Sequence, residues 1–436
     1  MTKLSTRDVI ALSFMTFALF IGAGNIIFPP IVAQQAGEHV WLAAAGFLIT
    51  AVGLPVITIV ALSRTDGSIT ILSSPLGKTA SLLLTIICYL SVGPLFAIPR
   101  TASVSYEIGF MNYLSNYEHP ILIYSICYFI VVTIVALYPN KLLDSIGNIL
   151  APLKILALAI LGIAAFLIPA RFIPDAVGEY VHSPVSEGFI NGYLTMDTLA
   201  ALVFGIVIIN AIRSRGVSDK KLIIKYAIIA GIASGVGLTL VYLSLFKLGM
   251  GSHDVAANAS NGAIILHAYV EHAFGDRGAL FLSIMIFLAC IVTAIGLTCA
   301  CAEYFASITK ISYRSWVFIF VIFSFIISNL GLTKLIAVSG PILTALYPPA
   351  IVMILLSFLN KYFANPSSII APVTAVAFLF GIIEGIKSSP FSEALPHNLL
   401  QLIPLEQQNL GWLVPALAVG IIMFMIDRAR ASKRVA

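Results

Sequence analysis

Residues 20–30 read Phe-Ile-Gly-Ala-Gly-Asn-Ile-Ile-Phe-Pro-Pro, in the middle of an apolar run from about 9 to 35. Glycine weakens a helix, and Asn25 is a polar residue at membrane depth. Unwound backbone is tolerated there only where it lines a cavity or is buried in protein. Such a turn exposes carbonyls that coordinate a cation. The helix restarting after it presents free N–H groups and a positive dipole end, suited to a carboxylate. The bland alternative for Gly22-Ala23-Gly24-Asn25 is a close-packed glycine face.

The rest of the chain supports a membrane setting. Of its 436 residues, 60% are hydrophobic and 10% charged, and the mean hydropathy is +1.03. Soluble domains carry roughly 25% charged residues. The composition excludes a soluble enzyme, a disordered chain and a nucleic-acid binder. Apolar runs predict helices near 9–35, 39–63, 77–112, 119–138, 146–169, 190–213, 221–249, 278–308, 314–330, 334–359, 369–387 and 411–428. The expected class is an all-α polytopic membrane protein with about 12 spans in a single membrane domain over residues 1–436, each span needing about 20 apolar residues. The first run, despite Lys3 and Arg7, is too long for a signal peptide and is expected to be a retained span.

Twelve spans put both termini on one side. Taking that side as cytoplasmic gives it 17 of the 24 lysines and arginines, against five outside, with Arg100 and Lys154 inside spans. That asymmetry sets the orientation and accounts for the net charge of +5. The longest connections, 170–189, 250–277 and 388–410, then lie outside. Within the middle one, Gly262 to Phe274 is amphipathic and reads either as a short helix capping an outer vestibule or as a surface loop.

Further spans carry interruptions. Span six has Phe204-Gly205 and then Asn210. If spans 1–5 and 6–10 are repeats, at about 6–170 and 190–360, an odd number of spans inverts the second. Interrupted helices at corresponding positions of two halves point to a transporter site. Two accessory helices follow at about 369–428. Span eight holds Thr293, Gly296 and Thr298; the threonines are either hard oxygen ligands for sodium or hydroxyls bonded back to their own helix. In span three, Arg100 and Glu107 are seven apart, hence on one face, and are expected to be able to pair. Arg7 and Glu303 lie on the same inner side and form either a cytoplasmic gate or two interfacial charges. The Gly231/Gly235 and Gly381/Gly385 spacings read as helix packing. Gly77-Lys78-Thr79 lacks the glycine a phosphate loop requires, since position 72 is leucine. No zinc-helix pair, nucleophile elbow or calcium loop is present, so no catalytic residue and no cofactor is expected.

The residues reached by this reading resemble the bacterial branched-chain amino acid:cation symporters, the LIV-II type carriers. The similarity runs from Ser5 to about Trp412. It is most specific at Phe20–Pro30, Gly93–Glu107, Val203–Val217, Thr293–Phe305 and Ser328–Pro349. The resemblance implies sodium-coupled uptake of leucine, isoleucine and valine across the bacterial inner membrane. It also implies the amino acid–polyamine–cation superfamily, with the five-plus-five inverted-repeat fold of LeuT. Gly22-Ala23-Gly24-Asn25 is similar to the Gly-x-Gly-Asn break of the neurotransmitter:sodium symporters. By that resemblance the Ala23 and Gly24 amides receive the substrate carboxylate, and Asn25 offers an oxygen to one sodium. Carbonyls of Ala18 and Ile21 with Thr293 frame a second, and Thr298 stands nearby on span eight. That family has an arginine before its Phe-Pro, where this chain has Ile27. Its threonine–serine pair on helix eight is also absent here.

The residues fit such a substrate. Phe204, Ile206, Ile208 and Ile209, with Gly205, would give an apolar pocket near the second break. A pocket of this kind discriminates a methylene by only ~1–3 kcal/mol, so the three amino acids are expected to be accepted together. A channel would need a more polar lining, and a membrane-embedded enzyme a cluster of acids, bases or metal ligands. Proton coupling is the rival within transporters, through Glu107, Asp197, Glu303 or Glu384. Oxygen-rich breaks without a central buried carboxylate favour sodium. Lipid is the other expected partner, and nucleic acid is not.

Overall fold

The structure is a computed structural model that describes residues 3–138, 156, 158–167, 172–395, 400 and 402–435. All regular structure among the described residues is helical. Away from water a backbone must bond to itself, and helices do so within one segment. Among the described residues seven helices are long and apolar enough to cross a membrane, and the bent pair Pro184–Thr195 and Asp197–Arg213, taken as one broken span, makes eight.

In chain order the elements that build the site are α1 (Thr6–Phe20), α2 (Ala23–Ala36), α3 (Val40–Leu48), α4 (Leu54–Ser63), α5 (Lys78–Leu90) and α6 (Ala97–Gly109). They continue as α7 (Pro120–Leu137), α8 (Leu158–Leu167), α9 (Pro184–Asn191), α10 (Asp197–Arg213), α11 (Lys220–Met250) and α12 (Gly262–Ile308). The last four are α13 (Tyr313–Ser328), α14 (Leu332–Ser357), α15 (Pro366–Lys387) and α16 (Leu413–Val435). Each expected span coincides with one of these helices or a pair; of the expected fifth span, 146–155, 157 and 168–169 lie outside the described residues.

Side chains set several helix starts. Ser5 Oγ accepts the Asp8 N–H while the Asp8 carboxylate accepts the Ser5 N–H, a capping box that opens α1. Asp219 caps α11 through the Lys221 and Leu222 amides, and Asn261 caps α12 through Ala263 and Ile264.

The first break falls where expected. α1 stops at Phe20, Ile21 and Gly22 are extended, and α2 starts at Ala23. The second does not fall at Phe204-Gly205. The chain turns at Met196, which is left-handed with φ 66° and ψ 13°, and bends by 42° into α10. Gly205 lies inside the intact α10, and a Cβ there would meet the Leu62 side chain. Its smallness therefore lets α10 approach α4 and does not unwind the helix. A third interruption is the π turn Ser91–Leu95, with Gly93 non-helical, before α6.

The amphipathic stretch from Gly262 is helical and buries Leu266, Tyr269 and Val270. It joins the membrane part of α12 through a kink at Gly275, whose φ of +63° suits glycine. The Gly381/Gly385 pair does pack a helix: Cβ atoms there would lie 2.7 and 2.6 Å from the Ala345 and Pro341 carbonyl oxygens of α14. On α11, Ile232, Val236 and Leu240 form an exposed apolar stripe at four-residue spacing. The buried apolar residues form two clusters, one including α2, α3 and α11, the other including α6, α7 and α12–α15. The broken helices meet at the seam between them.

Candidate functional site

A small cavity lies at that seam. The α1–α2 break contributes Gly22, Ala23, Gly24 and Asn25 to its wall; α6 contributes Arg100 and Thr101; Thr195, Met196 and Asp197 come from the second break. Phe204 of α10 and Thr293 and Leu297 of α12 complete the side. Its volume is about 40 Å³.

Two broken helices are tied together across this cavity. Asn25 is 1% exposed. Its Oδ1 accepts the Gly22 N–H at 2.8 Å, holding the first break open. Its Nδ2 donates to both carboxylate oxygens of Asp197, at 2.9 and 2.8 Å. The Tyr242 hydroxyl of α11 donates to Asp197 Oδ2 at 2.5 Å and lies equally close to Asn25 Nδ2. Asp197 is 1% exposed, and no Lys, Arg or His lies within ion-pair distance of it among the described residues. The expectation of a site without a central buried carboxylate is thus overturned.

Arg100 is 2% exposed. Its Nη1 donates to the Leu194 carbonyl at 2.6 Å and its Nη2 to Ser339 Oγ at 3.0 Å. Its guanidinium lies 5.1 Å from the centre of the Phe28 ring. Arg100 and Glu107 do not pair. Seven residues along a helix are about 10.5 Å apart in height, and Glu107 accepts from Asn261 Nδ2 and the Leu332 N–H instead.

The other candidate residues divide. Gly22, Ala23, Gly24, Asn25, Phe204 and Thr293 share the cavity wall. Ile208 is fully buried in the apolar core outside that wall, and Gly205 faces α4. Ala18 sits in the last turn of α1, where carbonyls lack intrahelical donors, and Ile21 follows it in extended backbone. The Thr293 and Thr298 hydroxyls donate to the Ala289 and Ala294 carbonyls, leaving only oxygen lone pairs for a cation. Arg7 and Glu303 are both exposed, and no ion pair joins them among the described residues. Sequence reading missed Tyr242 and Thr195 as part of the site and did not place Asp197 or Arg100 at the cavity. The available signal was an acid directly ahead of a long apolar run at Asp197.

A family profile described as branched-chain amino acid transport protein matches residues 5–430. The chain belongs to this family. A curated relative, the branched-chain amino acid transport system 3 carrier protein of Pseudomonas aeruginosa, is 58% identical over 98% of each chain. Family and relative are carriers, so this branched-chain amino acid transport protein is a transporter and not an enzyme.

Solved structures give the fold. Mhp1, a nucleobase-cation-symport-1 family transporter in a closed conformation, aligns with a TM-score of 0.60 at 13% identity, covering 98% of this chain and 93% of that one. MhsT in complex with L-phenylalanine aligns with a TM-score of 0.55 at 14% identity, covering 97% and 98%. The family member described here therefore has a LeuT-like polytopic membrane fold.

Proposed function

We propose that this chain imports leucine, isoleucine and valine by sodium symport across the bacterial inner membrane, with both termini cytoplasmic. The observation that carries the reading is the Asn25–Asp197 tie between two broken helices beside a cavity with an apolar wall. The Ala23 and Gly24 amides at the start of α2 receive the substrate carboxylate, and Phe204 and Leu297 meet the apolar side chain. Asp197 supplies the negative charge at the cation end. One sodium uses Asn25; a second uses the Ala18 and Ile21 carbonyls with Thr293, and Thr298 supports that region of α12. The two breaks belong to inverted repeats at about 6–170 and 190–360, with the last two helices accessory.

Proton coupling is the second reading, and Asp197 is what favours it. A buried carboxylate between Asn25 and Tyr242 can carry a proton as well as face a sodium ion.

The substrate reading is tested by tritiated leucine uptake into proteoliposomes. Excess unlabelled isoleucine or valine is expected to abolish the signal, and lysine or glutamate to leave it. Absence of leucine uptake, or equal competition by charged amino acids, contradicts the reading.

A further inference from the structure

Arg100 is a buried cation. Among the described residues no carboxylate lies within ion-pair distance of it. Its hydrogen-bond partners, the Leu194 carbonyl and the Ser339 hydroxyl, are neutral, and among the described residues its buried Nε has no hydrogen-bond partner. Buried charges are costly unless paired and fully hydrogen-bonded. The nearest acid along its own helix, Glu107, is committed to Asn261 and the Leu332 amide. The site is therefore short of one anion, and the cavity that Arg100 lines is where an anion can enter.

The position of the guanidinium is informative. A Cβ on Gly24 would lie 3.3 Å from Arg100 Nη1, so the guanidinium abuts the amide end of α2. A helix start and an unsatisfied guanidinium converge on one wall of the cavity. Asp197 lines the same cavity and lacks a cation partner among the described residues. Arg100 and Asp197 both line this cavity and no ion pair joins them among the described residues. In the transport reading above the coupling cation answers Asp197, which leaves the carboxylate of the amino acid to answer Arg100.

We propose that Arg100 binds the α-carboxylate of the transported amino acid, completing the anion site begun by the Ala23 and Gly24 amides. The inference rests on the transport reading above and deepens it. It makes the carboxylate, rather than the side chain, the group this site requires. Amines and alcohols with the same apolar side chain are rejected because they leave the guanidinium unpaired.

The test uses the full-length protein in detergent, titrated with ligand and followed by thermal unfolding, since a ligand that binds the folded state raises the melting temperature. The ligands are leucine and leucinol, which has a hydroxymethyl group in place of the carboxylate. Wild type is expected to need roughly 100-fold more leucinol than leucine for the same shift. In Arg100→Gln that ratio is expected to fall to within about threefold, through loss of leucine affinity with little change for leucinol. Arg100→Lys keeps the charge without the planar fork and gives a second reading if the glutamine variant fails to fold; there the ratio is expected to narrow by about tenfold. A wild-type ratio retained in either variant overturns the inference. So does equal binding of leucine and leucinol by wild type. A ratio that depends on chloride when measured against gluconate overturns it in favour of a resident inorganic anion. Wild type that binds neither ligand overturns the transport reading itself.

Discussion

Replacing Asp197 by asparagine tests the charge at the centre of the site. The substitution keeps shape and removes one negative charge. In the structure the carboxylate accepts Asn25 Nδ2 on both oxygens, at 2.9 and 2.8 Å, and the Tyr242 hydroxyl at 2.5 Å. An asparagine turns one amide nitrogen toward those donors, so at least one such bond is lost. Hydrogen bonds to a charged group contribute about 1.5–3 kcal/mol each. A sodium ion about 4 Å from the lost charge loses a further ~4 kcal/mol at an effective dielectric of 20. Solvent admitted by the change recovers part of this, leaving roughly 3–4 kcal/mol, or a factor of roughly 100–1,000 in cation affinity. The assay is leucine uptake into proteoliposomes as a function of external sodium, at fixed pH and membrane potential. The half-saturating sodium concentration is expected to rise by that factor, with a normal melting temperature confirming the fold. A sodium dependence within twofold of wild type would refute the assignment of Asp197 to the cation. Retained leucine exchange with complete loss of accumulation under a proton gradient would transfer Asp197 to the proton reading.

Phe204 lines the cavity at 5% exposure; Phe204→Ala should raise the half-saturation constant for leucine by about tenfold or more, from an apolar loss of ~1.5–3 kcal/mol, and an unchanged constant removes Phe204 from the pocket. Gly385→Ala places a Cβ against the Pro341 carbonyl of α14; thermal unfolding in detergent should show a destabilisation of about 1–3 kcal/mol, with leucine affinity of the folded protein unchanged. Arg7 and Glu303 are exposed, and no ion pair joins them among the described residues; Arg7→Ala and Glu303→Gln should each transport leucine within about twofold of wild type, as surface charges contribute little, and a large loss in both would restore the gate.

The sequence made the first break legible because its cause is local. Gly22 and Gly24 weaken the helix, and Asn25 supplies a side chain that accepts the Gly22 amide three residues back. The second break was not legible. Met196 adopts a left-handed conformation that ordinary propensity disfavours, and only the tie from Asp197 to Asn25, 172 residues away, shows why the turn sits there. Gly205 looked like the interruption because a glycine in an apolar run has two physical uses, and here it serves close approach to Leu62. Arg100 was visible as a charge inside a span, but helical periodicity directed it toward Glu107. Periodicity reports a shared face and not the height along it, and the partners of both residues come from other helices. The amphipathic stretch Gly262 to Phe274 left a helix and a surface loop both open, and the helix that buries Leu266, Tyr269 and Val270 decides between them.

The account's central claim is that sodium drives concentrative uptake of a branched-chain amino acid through this site. The measurement that tests it is tritiated leucine accumulation in proteoliposomes under an inward sodium gradient, against a matched potassium control, with pH and membrane potential clamped. The account predicts accumulation above equilibrium with sodium and none with potassium. Accumulation indifferent to sodium and driven by an imposed proton gradient would contradict it.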